Sequence, residues 1–228
     1  MPRKNKKQRA AIAAYRRLKQ INSTLMAYAP RPVCQRLAKT GIADQPDESP
    51  RHCHVCVLFS DIRGFTELSR ILDDERLLLT VQVSSERQSK VIEAFGGYVD
   101  NYAGDGLMAI FEGDDKVAKA CDCALELIGI AAQADDSGEP VSVAVGLHVG
   151  DVMMGDVGSS ERRSYTAIGE TVNVASRLCD HARTPEVITS NAVRLALQEE
   201  PNMAFEGLSS AIIPGIEEHM PVYRLRRC

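Results

Sequence analysis

Gly96–Phe111 reads GGYVDNYAGDGLMAIF, and the order of its residue types predicts a β-hairpin. Tyr98–Tyr102 and Leu107–Phe111 carry the aromatic and aliphatic side chains that suit a pleated, half-buried surface. Between them Ala103-Gly104-Asp105-Gly106 supplies the turn, so the tip presents an acidic side chain. Immediately upstream, Gly96-Gly97 ends the helical segments that cover Glu67–Phe95. Further upstream, His54–Asp61 (HVCVLFSD) is a short apolar run expected as a buried strand.

Downstream, Lys116–Ala134 has helical periodicity. Val141–Val149 and Val152–Val157 read as a second hairpin turning at Gly150-Asp151. Glu170–His181 is expected as a helix, and the remainder alternates strand, helix and strand. This order predicts an α+β fold with an antiparallel-rich sheet covered on one face by helices. Toward the N-terminus, Ile12, Tyr15, Leu18, Ile21 and Leu25 recur at three- and four-residue steps, the mark of a short amphipathic helix over residues 8–28. Pro30 and Pro32 interrupt it, a brief helix is expected at Val33–Leu37, and Gly41–Pro50 reads as a linker. Two parts follow from this: residues 1–50, a basic helix and linker, and residues 51–228, the main domain.

The chain has 228 residues, 44% of them hydrophobic, and no Trp, so a core of Val, Ile, Leu and Ala is expected. No apolar run approaches membrane-spanning length and the N-terminus lacks a secretory signal, so a cytoplasmic protein is expected. Seven scattered cysteines fit reduced thiols. Within His52-Cys53-His54-Cys56, strand alternation turns Cys53 away from the other three, which argues against zinc. The formal charge of −4 is unevenly spread. Arg3, Lys4, Lys6, Lys7, Arg9, Arg16, Arg17 and Lys19 crowd the first twenty residues without an acidic partner. A solvated helix face, packed on the domain or on a dimer mate, is favoured there over a nucleic-acid contact.

The chemistry-bearing residues fall at element ends. Asp61 closes the apolar strand, and Asp105 sits at the hairpin tip. Neighbouring strands lie about 4.8 Å apart, so if the two pair, both carboxylates can converge on one divalent cation site of hard oxygens. Gly64, Phe65 and Thr66 open a helix directly after Asp61, and their backbone N–H groups form a natural phosphate seat. Asn173 and Arg177, four residues apart on a helix, share one face and can orient a ribose and offset phosphate charge.

Four blocks together, Val57–Thr66 (VLFSDIRGFT), Gly96–Phe111, Val145–Gly158 (VGLHVGDVMMGDVG) and Tyr165–Leu178 (YTAIGETVNVASRL), resemble the signature blocks of class III adenylyl and guanylyl cyclase catalytic domains, in order and spacing. Tyr28–Leu37 is similar to the lead-in that precedes many bacterial members. The resemblance implies a ferredoxin-like core and a homodimer with two shared active sites. It implies that Asp61, Asp105 and the Ile62 carbonyl hold two divalent cations, Mn2+ or Mg2+, and that Asn173 and Arg177 act from the partner chain on a nucleoside triphosphate.

Two positions depart from the pattern. Where adenylyl cyclases carry a base-reading Lys, this chain has Asn101, and the usual partner position holds Thr166. The guanine-reading pair is also absent. One amide orientation of Asn101 suits uracil or guanine, the other cytosine or adenine. Tyr102 and Tyr165 could fill the space of a purine's second ring. The pattern is similar to the stand-alone pyrimidine cyclases of bacterial Pycsar anti-phage defence, which favours UTP; an adenylate or guanylate cyclase, or an inactive nucleotide-binding homologue, are the alternatives. Second, Pro214 stands where many members have a triphosphate-binding basic residue.

Overall fold

A computed structural model describes residues 2–40, 49–131, 141–208 and 220–228. Two compact units divide the chain, residues 1–47 and residues 48–228. In the first, α1 (Pro2–Met26) and α2 (Arg31–Thr40) are separated by the turn before Pro30. Ile12, Tyr15, Leu18, Ile21 and Leu25 of α1 are all exposed. Among the described residues no helix is long and apolar enough to cross a membrane.

The second unit is built on β1 (Arg51–Arg63), which extends the expected strand at both ends. It is followed by α3 (Phe65–Ile71) and α4 (Asp74–Ala94), separated where Asp73 caps α4 by accepting from the Arg76 N–H. The hairpin β2 (Tyr98–Ala103) and β3 (Gly106–Phe111) turns at Gly104-Asp105, with Gly104 at φ 64°. Then come α5 (Lys116–Ala131), β4 (Ser142–Gly158), β5 (Arg163–Ile168), α6 (Glu170–His181), β6 (Val187–Ser190), α7 (Asn191–Ala196), β7 (Met203–Gly207) and β8 (Val222–Arg227). The strand order is β2-β3-β1-β4-β6-β8-β7, with β5 paired to β4. Among the described residues only β4 and β6 pair in parallel; the other pairings are antiparallel.

Strand alternation divides the core. Cys56, Leu58, Val145 and Leu147 pack with Ile92 of α4, Leu127 of α5 and Val193 of α7 on one face. Val55, Val57, Met108 and Ile110 lie on the other, with Met154, Ala167 of β5 and Ala175 of α6. Ala144, Ile188 and Val222 extend this second layer under Val174 and Leu178 of α6. The sheet is therefore covered on both faces, not on one as its element order suggests.

The expected hairpin at Gly150-Asp151 is also corrected. Both residues remain extended within β4 and lie opposite Val55 and His54 of β1. The turn comes later, after Gly158, where β5 folds back along β4. Gly150 serves close approach instead of a turn: a Cβ there would lie 2.6 Å from the Thr171 hydroxyl of α6.

Candidate active site

The end of β1 and the tip of the β2–β3 hairpin meet. Ser60 pairs with Leu107, which sets Gly106 beside Asp61. A Cβ on Gly106 would lie 2.9 Å from the Ser60 carbonyl oxygen and 3.1 Å from Asp61 Oδ1. Only glycine lets the tip approach this closely, and Asp105 is the next residue along the turn.

The half-buried Asp61 carboxyl is raised above its ordinary value, first by burial and next by the charge of Asp105. Arg63 opposes the rise, and Asp180 at the end of α6 adds to it. Arg63 donates to Asp61 Oδ2 at 3.2 Å and to the Cys179 carbonyl, so it ties the end of β1 to the last turn of α6. Such a concentration of carboxylate charge favours a bound cation. Among the described residues no group of three or more His, Cys, Asp or Glu side chains could hold a metal. Two carboxylates completed by carbonyl, water and phosphate oxygens is the donor set of a Mg2+-type site, not of a protein-caged one.

The Ile62 side chain is buried with Val143 and Phe65, so any ligand role falls to its backbone. Gly64, at φ 76°, precedes α3 without a side-chain cap. Phe65 turns into the core, while Thr66 is exposed and its carbonyl accepts from the Ser69 hydroxyl at 2.9 Å.

On α6, Thr171, Val174, Ala175, Leu178 and Cys179 are buried, leaving Asn173 and Arg177 exposed on the outer face. The charges that act on Asp61 are those of Asp105, Arg63 and Asp180. Cavities of about 640 and 470 Å³ lie elsewhere, against α5 and β8 and beside His54 and α7, and none of these residues lines either.

Asn101 and Thr166 lie on either side of Asp100, the first next to it in β2 and the second hydrogen-bonded to it from β5. A bulge between Val99 and Asn101 breaks the β2–β3 register and leaves Asp100 unpaired along the ladder. Asp100 is only 6% exposed, and its Oδ2 accepts from the Thr166 hydroxyl at 2.5 Å. Asn101 is exposed. Tyr102 is turned toward α4, its hydroxyl 2.7 Å from that of Ser89. Tyr165 packs against the second core layer, and its hydroxyl accepts from Arg51 Nε at 3.0 Å. The basic position expected at Pro214 lies outside the described residues.

Burial pushes the Asp100 carboxyl up to about 6, against the lowering effect of the Thr166 hydrogen bond. Its Oδ1 is buried with no partner among the described residues. With a raised folded value, stability is fully present below the ordinary value of 3.8 and is lost as pH rises through about 6. The loss is about 3 kcal/mol. His148 runs the opposite way. Burial lowers it to about 4, and its Nδ1 lies 2.7 Å from the Ser190 hydroxyl, so stability is lost as pH falls from 6.5 through about 4. The difference between wild type and Asp100→Asn isolates the carboxylate. Urea unfolding should show the Asn variant gaining on wild type by about 1.5 kcal/mol more at pH 8 than at pH 5. Equal differences at both pH values would refute a buried, ionising Asp100.

The family described as adenylate and guanylate cyclase catalytic domain matches residues 48–227. Over 187 residues the chain is 30% identical to an adenylate cyclase of Anabaena cylindrica, covering 76% of this chain and only 36% of that protein. The structure of a bacterial light-regulated adenylyl cyclase aligns at a TM-score of 0.80 and 24% identity, over 94% of this chain and 63% of that one. The guanylate cyclase domain of RhGC from Catenaria anguillulae, in complex with GTP, aligns at a TM-score of 0.72 and 21% identity, over 78% and 98%. At these identities the structural likenesses establish the fold.

Proposed function

The chain belongs to the adenylate and guanylate cyclase catalytic domain family, and we propose from that premise that it is a nucleotidyl cyclase. It converts a nucleoside triphosphate into its 3′,5′-cyclic monophosphate and pyrophosphate. The observation that carries this reading is the convergence of Asp61 and Asp105 at the end of β1, where a third element, α6, presents Asn173 and Arg177 outward.

Asp61 and Asp105, with the Ile62 carbonyl, hold two divalent cations, Mg2+ or Mn2+. Once bound, such cations make the ribose 3′-hydroxyl easier to deprotonate and offset charge on the phosphates. The backbone N–H groups of Gly64, Phe65 and Thr66 receive phosphate oxygens. The 3′-oxygen attacks the α-phosphorus, its proton passes to solvent, and the bond to the bridging oxygen of pyrophosphate breaks. Asn173 orients the ribose, and Arg177 stabilises the charge that builds on the α-phosphate oxygens. Because Asn173 and Arg177 stand exposed on the face of α6 turned away from the sheet, the reading that fits is a homodimer. Each protomer lends its Asn173 and Arg177 to the other's Asp61 and Asp105, giving two shared sites.

Thr166 and Asn101 meet the base. Asn101 stands where the family's adenine readers have Lys, which supports UTP as the substrate; ATP remains the competitor, since the Anabaena relative is an adenylate cyclase. A role as an anti-phage alarm rests on that choice of base. Incubation of the protein with each of the four triphosphates and Mn2+, followed by mass spectrometry, should yield one dominant cyclic product, cyclic UMP. A cyclic purine would overturn the choice of base, and no cyclic product from any of the four would leave a nucleotide-binding homologue without turnover.

A further inference from the structure

The buried carboxylate of Asp100 has no part in the chemistry above, and nothing in the sequence motifs assigns it one. It is nine-tenths buried, displaced from the strand ladder by the bulge before Asn101, and aimed at Thr166. One of its oxygens is buried with no partner among the described residues. A structural carboxylate at a strand edge usually finds several donors or faces water. Among the described residues this one is held against a single hydroxyl.

We propose that Asp100 is a positioning residue for base selection: by accepting the Thr166 hydroxyl hydrogen it leaves Thr166 only lone pairs to offer, so that the nucleobase must donate an N–H to be bound. The inference rests on Thr166 lying at the base, as in the reading above. Its physical content is a matter of counting. A threonine hydroxyl has one hydrogen and two acceptor sites. A carboxylate has no hydrogen to give, so in the pair at 2.5 Å the hydrogen comes from Thr166. The hydroxyl that would otherwise rotate to suit donor or acceptor is thereby fixed as an acceptor. Thr166 itself is half-buried and can still be reached. Uracil meets the demand with N3–H and leaves O4 for the Asn101 amide, and guanine presents the same edge with N1–H and O6. A base edge that offers only an acceptor to Thr166 would set two lone pairs against each other, and a site built around one polarity discriminates strongly against the other.

Binding, not turnover, tests this, so that failure of catalysis does not obscure the result. Wild type, Asp100→Asn, Thr166→Val and the double variant are titrated with α,β-methylene analogues of the four triphosphates and Mn2+, which cannot be cyclised. Fold is checked by urea midpoint. Wild type should prefer the uracil and guanine analogues over those of cytosine and adenine, and Asp100→Asn should cut that preference about tenfold, because an amide lets the Thr166 hydroxyl turn either way. Thr166→Val should cut it comparably, and the double variant should lose no more than the larger single loss, because one residue acts through the other. Weakening of all four analogues by the same factor in Asp100→Asn, or additive losses in the double variant, would overturn the proposal. Absence of nucleotide binding by wild type would instead remove the cyclase reading beneath it. A cyclase without turnover would still give the expected pattern.

Discussion

Asp61→Ala and Arg177→Ala proteins, each inactive alone, should regain cyclic nucleotide formation when mixed. Alone, Asp61→Ala loses one of two carboxylates for the cations. Arg177→Ala loses the cation that meets charge on the reacting phosphate, an effect of about 10³-fold for a preorganised group of this kind. In a two-fold dimer built as proposed, one site of the mixed pair combines both lesions and the other combines none. Random exchange of subunits makes half of the dimers mixed, so about a quarter of wild-type activity is expected per protomer. The expectation follows from α6. Its buried residues, Val174, Ala175, Leu178 and Cys179, face the sheet, so Asn173 and Arg177 point outward from the chain that bears them. Mixing that restores nothing, with mixed dimers demonstrated, would mean that each chain completes its own site.

The parts of this site that could be read in advance are those set by local chemistry. The β2–β3 hairpin is fixed by Gly104 and Gly106 between two apolar runs, and the tip position of Asp105 follows from it. Asp61 follows from the end of an apolar strand, and the shared face of Asn173 and Arg177 from helical spacing. What could not be read depends on contacts between distant segments. The bulge that turns Asp100 inward is a mismatch with β3, and a regular strand over Tyr98–Tyr102 would have placed Asp100 and Tyr102 on the same face. Instead Tyr102 meets α4. Arg63 reaches a carbonyl 116 residues away, which no local pattern announces. Gly150-Asp151 has the composition of a turn, yet its glycine answers to Thr171 on α6, not to backbone curvature. Glycine in a strand has two physical uses, and only the tertiary neighbour distinguishes them.

That second use is pronounced at Gly146, where a single added methyl group should do large damage. Gly146 lies in β4 opposite Phe59 of β1, directly under α6. A Cβ there would collide with the Cys179 nitrogen and the Ala175 carbonyl oxygen, and would lie 2.8 Å from Cys179 Cα. All three are backbone atoms of one helix, so no side-chain rotation relieves the clash; α6 must move. Overpacking in a filled core costs about 1–3 kcal/mol, occasionally more, and the rigidity of the opposing backbone puts the expected loss at the upper end of that range. The helix that moves carries Asn173 and Arg177, and its last turn is held to Asp61 through Arg63. A displacement of about 1 Å at groups that must meet a reacting phosphate can cost about 10²-fold in rate. Gly146→Ala should therefore remain folded, melt well below wild type, and turn over about a hundredfold more slowly. Gly129 of α5 provides the matched control, because a Cβ there would meet nothing within 4 Å. Gly129→Ala should raise stability by about 0.5–1 kcal/mol through helix propensity alone and leave turnover unchanged. If Gly146→Ala matched wild type in both melting and turnover, α6 would not be pressed against β4, and the placement of Asn173 and Arg177 would have to be drawn again.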